Sequence, residues 1–114
     1  MPDSRLATTL PRAVSLKDPL VLASGCCGYG EEYSDIVDPR KIGGIITKAV
    51  SLEPRAGNTV PRLRETPAGL LNCIGLQNPG VEKFNAEILP RLLERGFSFF
   101  VNAVGDSPER FAAV

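Results

Sequence analysis

The chain contains no histidine. That absence removes Ser–His and Cys–His nucleophile pairs and histidine metal sites from its 114 residues. Excess charge of either sign is also missing, since Lys plus Arg and Asp plus Glu each number 13. A neutral chain carries no electrostatic footprint for nucleic acid or an anionic membrane surface, so neither is expected as a partner. No apolar run approaches the roughly 20 residues of a membrane helix. The opening "MPDSRLATTLPRAVSLK" has charges but no apolar stretch and is not read as a secretory signal. Three cysteines, two of them adjacent, make no disulfide framework. They point to a reducing compartment, the cytoplasm. Internal repeats and low-complexity segments are absent as well.

What is present is ordinary globular composition, 43% hydrophobic and 23% charged, enough for one modest core. "RLATT" and "AVSL" flank Leu10-Pro11 as a small hairpin. "PLVLASG" (Pro19–Gly25) reads as a strand buried on both faces, "EEYSDIVD" (Glu31–Asp38) as a short helix, and "GGIITKAV" (Gly43–Val50) as a second strand. "SLEPRAGNTVPRLRETPAG" holds three prolines and two glycines and reads as an excursion loop without regular structure. "LLNCIGLQNPG" (Leu70–Gly80) then opens like a core strand. "VEKFNAEILPRLLERG" has apolar residues at Val81, Phe84, Ile88, Leu89, Leu92 and Leu93, which is helical spacing, with Pro90 implying a kink or two shorter helices. "FSFFVNAVG" (Phe97–Gly105) is a third strand, and "DSPERFAAV" starts a helix with Ser107 as N-cap and Pro108 at its first position. Strands alternating with helices indicate an α/β fold with parallel pairing. The order stops just inside the last helix, which suggests the first part of a larger fold; a small complete α/β domain is the alternative.

Parallel α/β folds collect their sites at the carboxyl ends of strands. Those ends carry Ser24, then Lys48 and Ala49, then Asn102, while the loop before the long helix carries Asn72, Gln77 and Asn78. Such a set suits a flat, polar, negatively charged ligand that is held rather than hydrolysed. Individually the residues stay ambiguous: Lys48 reads equally as a lysine snorkelling to solvent, and Asn102 as the cap of a neighbouring loop. Tyr29, Glu31 and Glu32 read as a helix start with acidic residues near its positive end. "GCCGYG" lacks the glycine spacing of a dinucleotide fingerprint, Cys26-Cys27 lacks a second ligand pair, and Cys73 reads as a small packing residue.

In order and spacing, "ASG…GYGEEY", "ITKAVSLEPRAGN", "PRLRETPAGLLNCIGLQNPGVEKF" and "VNAVG" resemble the opening of class 1 dihydroorotate dehydrogenases over nearly the whole chain. The wording "GLQNPG" is most similar to the NAD-dependent class 1B catalytic subunit. The resemblance implies a TIM (β/α)8 barrel with FMN at the carboxyl face. Residues 1–114 would be its N-terminal part, with about three parallel strands, helices and a small hairpin. It puts Ser24, Lys48, Ala49 and Asn102 on flavin-contacting positions, and Lys48, Asn72, Cys73, Ile74, Gly75 and Leu76 on positions that hold the pyrimidine substrate. Gln77 and Asn78 would tie the loop down.

In that family the base is a cysteine on a loop after the fourth strand. It would lie past Val114, so no catalytic residue and no metal ligand is expected in this chain. Alanine is usual where this chain has Cys73. The implied reaction is oxidation of dihydroorotate to orotate in pyrimidine (UMP) biosynthesis. Electrons would pass from FMN to an iron–sulfur and FAD partner subunit in a heterotetramer, and then to NAD. Two rivals remain: an FMN-dependent reductase of uracil or thymine, and an inactive fragment serving only as a binding module.

Overall fold

The computed structural model describes residues 4–32, 35–36, 38, 41–96 and 98–114. Three small sheets are present among them. The first is the expected N-terminal hairpin: β1 (Thr8–Leu10) pairs antiparallel with β2 (Val14–Leu16). The second is parallel and runs in chain order, β3 (Val21–Leu22), β4 (Gly44–Ile46) and β7 (Phe99–Phe100). Sequential parallel order with intervening crossovers is how the strands of a (β/α)8 barrel follow one another.

The parallel strands are shorter than the apolar runs that signal them, and only β4 is deeply covered. Ile45 is 1% exposed, whereas Val21, Leu22, Phe99 and Phe100 on the flanking strands are half-buried. The expected burial of the first strand on both faces is therefore corrected, since Val21 and Leu22 are each only half-buried. Of the helix expected over Glu31–Asp38, residues 33, 34 and 37 lie outside the described residues, and its described members are in turns or irregular backbone.

The excursion loop also departs from expectation. It contains a strand, β5 (Leu63–Thr66), which pairs antiparallel with β6 (Gly69–Asn72) across Pro67-Ala68. All eight strand residues are exposed, so "LLN" is a projecting hairpin arm and not a core strand. Alternating Leu63, Arg64, Glu65 and Thr66 supports a strand with charge on both faces, a pattern hidden behind the prolines that flank it.

The long helical stretch runs as α1 (Val81–Lys83), a π-helical turn (Phe84–Ile88) and α2 (Leu89–Glu94). Pro90 has no N–H to give to the preceding turn. The widened turn, with Leu89 N–H donating to Phe84 O, accommodates it and divides the stretch into two short α-helices, the second of the two expected outcomes. Phe84, Ile88 and Leu92 form the buried spine, packed with Cys27, Ile42, Ile45 and Val50. Leu93, expected inside, is 62% exposed because it sits one residue round from that spine. The last helix, α3 (Pro108–Ala112), starts as expected, with Ser107 Oγ accepting from Arg110 N–H at 3.3 Å. Arg110 also pairs with Asp106 and Glu53, fastening α3 to the segment after β4. Among the described residues no helix is long and apolar enough to cross a membrane.

Gly80 joins the loop to α1 with φ +81°, and a Cβ there would lie 2.7 Å from Pro54 N. Gly80→Ala should therefore cost about 1–3 kcal/mol of stability. Urea unfolding of the complete protein measures this; an unchanged midpoint would show that the Pro54 backbone yields freely.

Candidate functional site

A cavity of about 780 Å³ opens at the carboxyl ends of the parallel strands. Ser24 follows β3, Lys48 and Ala49 follow β4, and Asn102 follows β7; all four line it. From the hairpin side come Asn72, Ile74, Gly75 and Leu76. Thus the sequence-predicted flavin set and most of the predicted substrate set share one cavity. Cys73 does not join them. It lines a neighbouring cavity of about 470 Å³ with Pro61 and Leu71, and it is exposed rather than packed. Its Sγ and O both lie within hydrogen-bond reach of Asn58 Nδ2, at 2.9 and 3.0 Å.

A hydrogen-bond chain joins the three strand ends. Ser24 Oγ donates to Thr47 O at 2.8 Å, so its oxygen accepts from Asn102 Nδ2 at 2.7 Å. That pairing fixes which end of the Asn102 amide faces Ser24. Lys48 N–H donates to Gly28 O at 2.7 Å, holding the glycine-rich turn after β3 against the cavity wall. Tyr29 adds a bond from its hydroxyl to Ala49 O at 3.3 Å while its ring packs on Phe84, centroids 5.8 Å apart.

Burial, with Glu32 nearby, pushes the Tyr29 phenol up to about 12. Burial also raises the Cys27 thiol, with Cys26 and Glu32 adding to it. Because the Tyr29 pKa is higher folded than unfolded, its contribution to stability is complete below pH ~10 and lost as pH rises through its folded value. Tyr29→Phe should flatten this alkaline decline between pH 10 and 12. Thermal melts across that range measure it, and identical slopes for both proteins would remove Tyr29 from the account.

The two limbs of the excursion loop are laced together. Cys73 N–H donates to Arg62 O, Asn58 N–H to Ile74 O, and Arg55 and Asn78 exchange both backbone bonds at 3.0 Å. Gly75 has φ +77°, and a Cβ there would meet Asn58 N at 2.8 Å, so glycine permits the limbs to approach. Leu76 occupies φ +52° without being glycine, a strained conformation that surrounding bonds must hold.

Those bonds come from Asn78, which is 6% exposed. Its Oδ1 accepts from Ser51 N–H at 3.1 Å and Gly80 N–H at 2.9 Å; its Nδ2 donates to Leu76 O and Ser51 Oγ, both at 2.8 Å. Asn72, six residues earlier, contrasts with it: no side-chain hydrogen bond joins it to the described residues. Lys48 likewise has no ion pair among them. One amide is consumed by the fold; the other, like the ammonium group, is left for whatever enters the cavity.

Sequence reasoning missed Arg62, Glu32 and Cys26 in the lining and gave Gln77 to loop support alone. Gln77 does both, since it lines the cavity while its Oε1 accepts from Arg62 at 2.7 Å. Arg62 sits in the segment read as irregular, so only recognition of β5 would have marked it.

A sequence profile described as Dihydroorotate dehydrogenase matches residues 5–114. The chain belongs to the dihydroorotate dehydrogenase family. Among similar proteins is the "Dihydroorotate dehydrogenase B (NAD(+)), catalytic subunit" of Geobacillus sp. (strain WCH70). It is 47% identical over 111 residues, covering 97% of this chain and 35% of the relative. The protein of the same name from Streptococcus pneumoniae (strain ATCC BAA-255 / R6) is 49% identical over 117 residues, 100% of this chain and 37% of its own. A protein from Aquifex aeolicus (strain VF5), 46% identical over 101 residues, covering 89% of this chain and 33% of its own, carries a provisional name as dihydroorotate dehydrogenase A (fumarate). The chain spans about a third of the length of these dihydroorotate dehydrogenase relatives.

Proposed function

We propose that the complete protein carrying this chain oxidises dihydroorotate to orotate, with FMN held at the strand-end cavity. The observation that carries the reading is the pair Lys48 and Asn72, a cation and an amide lining one cavity with no side-chain partner among the described residues. The cavity lies within the usual range of a few hundred to about 1,000 Å³ for small-molecule sites. Its donor set of ammonium and amides fits a flat, polar, anionic ring system such as the isoalloxazine of FMN, beside a Ser24 hydroxyl whose hydrogen is held by Thr47 O. When bound, FMN supplies the hydride acceptor.

The residues of this chain bind and orient. Lys48 offsets the negative charge of the substrate carboxylate and of the ring system beside it. Asn72 hydrogen-bonds the polar edge of the dihydroorotate ring, and Ile74 and Leu76 shield that edge from water. Ser24 and Asn102 hold the flavin position from the strand ends. Cys73 belongs to the same loop but faces its other side, so its part in substrate contact would be through its backbone. The proton leaving dihydroorotate is assigned to a cysteine beyond Val114, as the family resemblance implies. A partner subunit carrying an iron–sulfur cluster and FAD would supply the route for electrons to NAD, in a cytoplasmic heterotetramer. The two relatives named as NAD(+) catalytic subunits support that acceptor; the Aquifex aeolicus relative makes fumarate the second reading.

The test is orotate formation from dihydroorotate by the complete FMN-loaded protein, first with a dye and then with NAD plus partner subunit or with fumarate. Reduction of uracil or thymine without dihydroorotate oxidation would replace the proposal with the pyrimidine-base reductase reading.

A further inference from the structure

The register between β4 and β7 changes at the cavity. Ile45 pairs with Phe99 and Ile46 with Phe100, but Val50 pairs with Ala103. Four steps along one strand therefore match three along the other, so one extra residue lies on the β4 side. That is a β-bulge, a device that sits beside sites and re-aims side chains. Lys48 and Ala49 occupy it.

The hydrogen bonds show how the bulge is closed. Thr47 N–H donates to Phe100 O at 2.9 Å, as a parallel ladder requires. The next ladder bond would run from Asn102 N–H to Thr47 O. Instead Asn102 N–H donates to Thr47 Oγ1 at 3.2 Å, and Thr47 O accepts from Ser24 Oγ. The ladder resumes with Val50 N–H to Asn102 O and Val104 N–H to Val50 O, both 2.9 Å. The threonine hydroxyl thus stands in for its own carbonyl, and the released carbonyl holds the serine. Thr47 is completely buried, so it touches nothing in the cavity itself.

We infer that Thr47 is a positioning residue: its hydroxyl closes the bulge and sets Ser24, Lys48 and Asn102 in register for the ligand. Valine has nearly the same shape but no acceptor, which would leave Asn102 N–H either unpaired or competing with Ser24 for one carbonyl. The inference rests on the FMN reading above for its ligand, but the bulge itself does not.

The experiment compares Thr47→Val and Thr47→Ser in the complete protein. Two measurements are made: FMN affinity by flavin fluorescence, and hydrogen exchange at the peptide containing Asn102 in the FMN-free protein. Thr47→Val should bind FMN about tenfold more weakly and exchange faster at Asn102, while Thr47→Ser should stay within about twofold on both. Wild-type FMN binding and wild-type exchange in Thr47→Val would overturn the inference. So would Thr47→Ser behaving like Thr47→Val, since the methyl group would then be what matters. If Thr47→Val does not fold, the serine variant decides alone. If the wild-type protein holds no FMN, the functional reading fails and the exchange comparison still judges the bulge.

Discussion

Lys48→Ala should lower turnover by about 10²–10³ and weaken FMN retention in the complete protein. Removing one placed electrostatic donor has an effect of that size at other sites. Among the described residues Lys48 has no ion pair, and the other cation lining the cavity, Arg62, is tied to Gln77 Oε1 rather than free to replace it. For the same reason thermal stability should hardly change. Lys48→Arg is not a neutral control, since a planar fork cannot replace a compact ammonium in the bulge. Steady-state kinetics with the bound-flavin spectrum measure both effects. Full turnover with full flavin would reduce Lys48 to a solvent-seeking side chain.

The second large effect separates two amides of one loop. Asn78→Ala should lower stability by about 3 kcal/mol or more, because it leaves the Ser51 and Gly80 N–H groups without their acceptor in a buried setting. It should also slacken Leu76, whose left-handed backbone is held through its carbonyl by Asn78 Nδ2. Asn72→Ala should leave the melting temperature nearly unchanged, since its side chain has no hydrogen-bond partner among the described residues. Its effect should fall on substrate, raising KM and lowering kcat while FMN stays bound. Kinetics and melts on both variants decide. An Asn72→Ala protein that melts early but turns over normally would exchange the two roles.

Much of this was legible in advance, and the reasons differ by element. Ser107-Pro108 announced α3 because an N-cap side chain and a proline at the first position act locally. Val81, Phe84 and Ile88 announced the helix because spacing alone places them on one face. The strand ends were readable as a site because parallel topology puts chemistry there, and Ser24, Lys48 and Asn102 follow strands directly. The hairpin β5–β6 was not readable, because its leucines are exposed and its partner strand hides between Pro61 and Pro67. The bulge was invisible for another reason: register is a relation between Ile46–Val50 and Phe100–Ala103, and neither segment states it alone. Asn72 and Asn78 could not be told apart by composition, since only the position of Ser51 shows which amide is spent on the fold.

The bond from Asn102 to Ser24 spans 78 residues of sequence. A contact of that separation is favoured only after the loop between its ends has closed, and the Ser51–Asn78 bonds lie inside that loop. The excursion loop can therefore fasten to the end of β4 before Asn102 arrives, while the three-strand junction must wait for β7. During synthesis Ser24, Lys48 and Asn102 would come together only when the third parallel strand has left the ribosome. A ligand that needs Ser24 and Asn102 together would be held no earlier than the arrival of β7, and adding it early in refolding should speed nothing before that step.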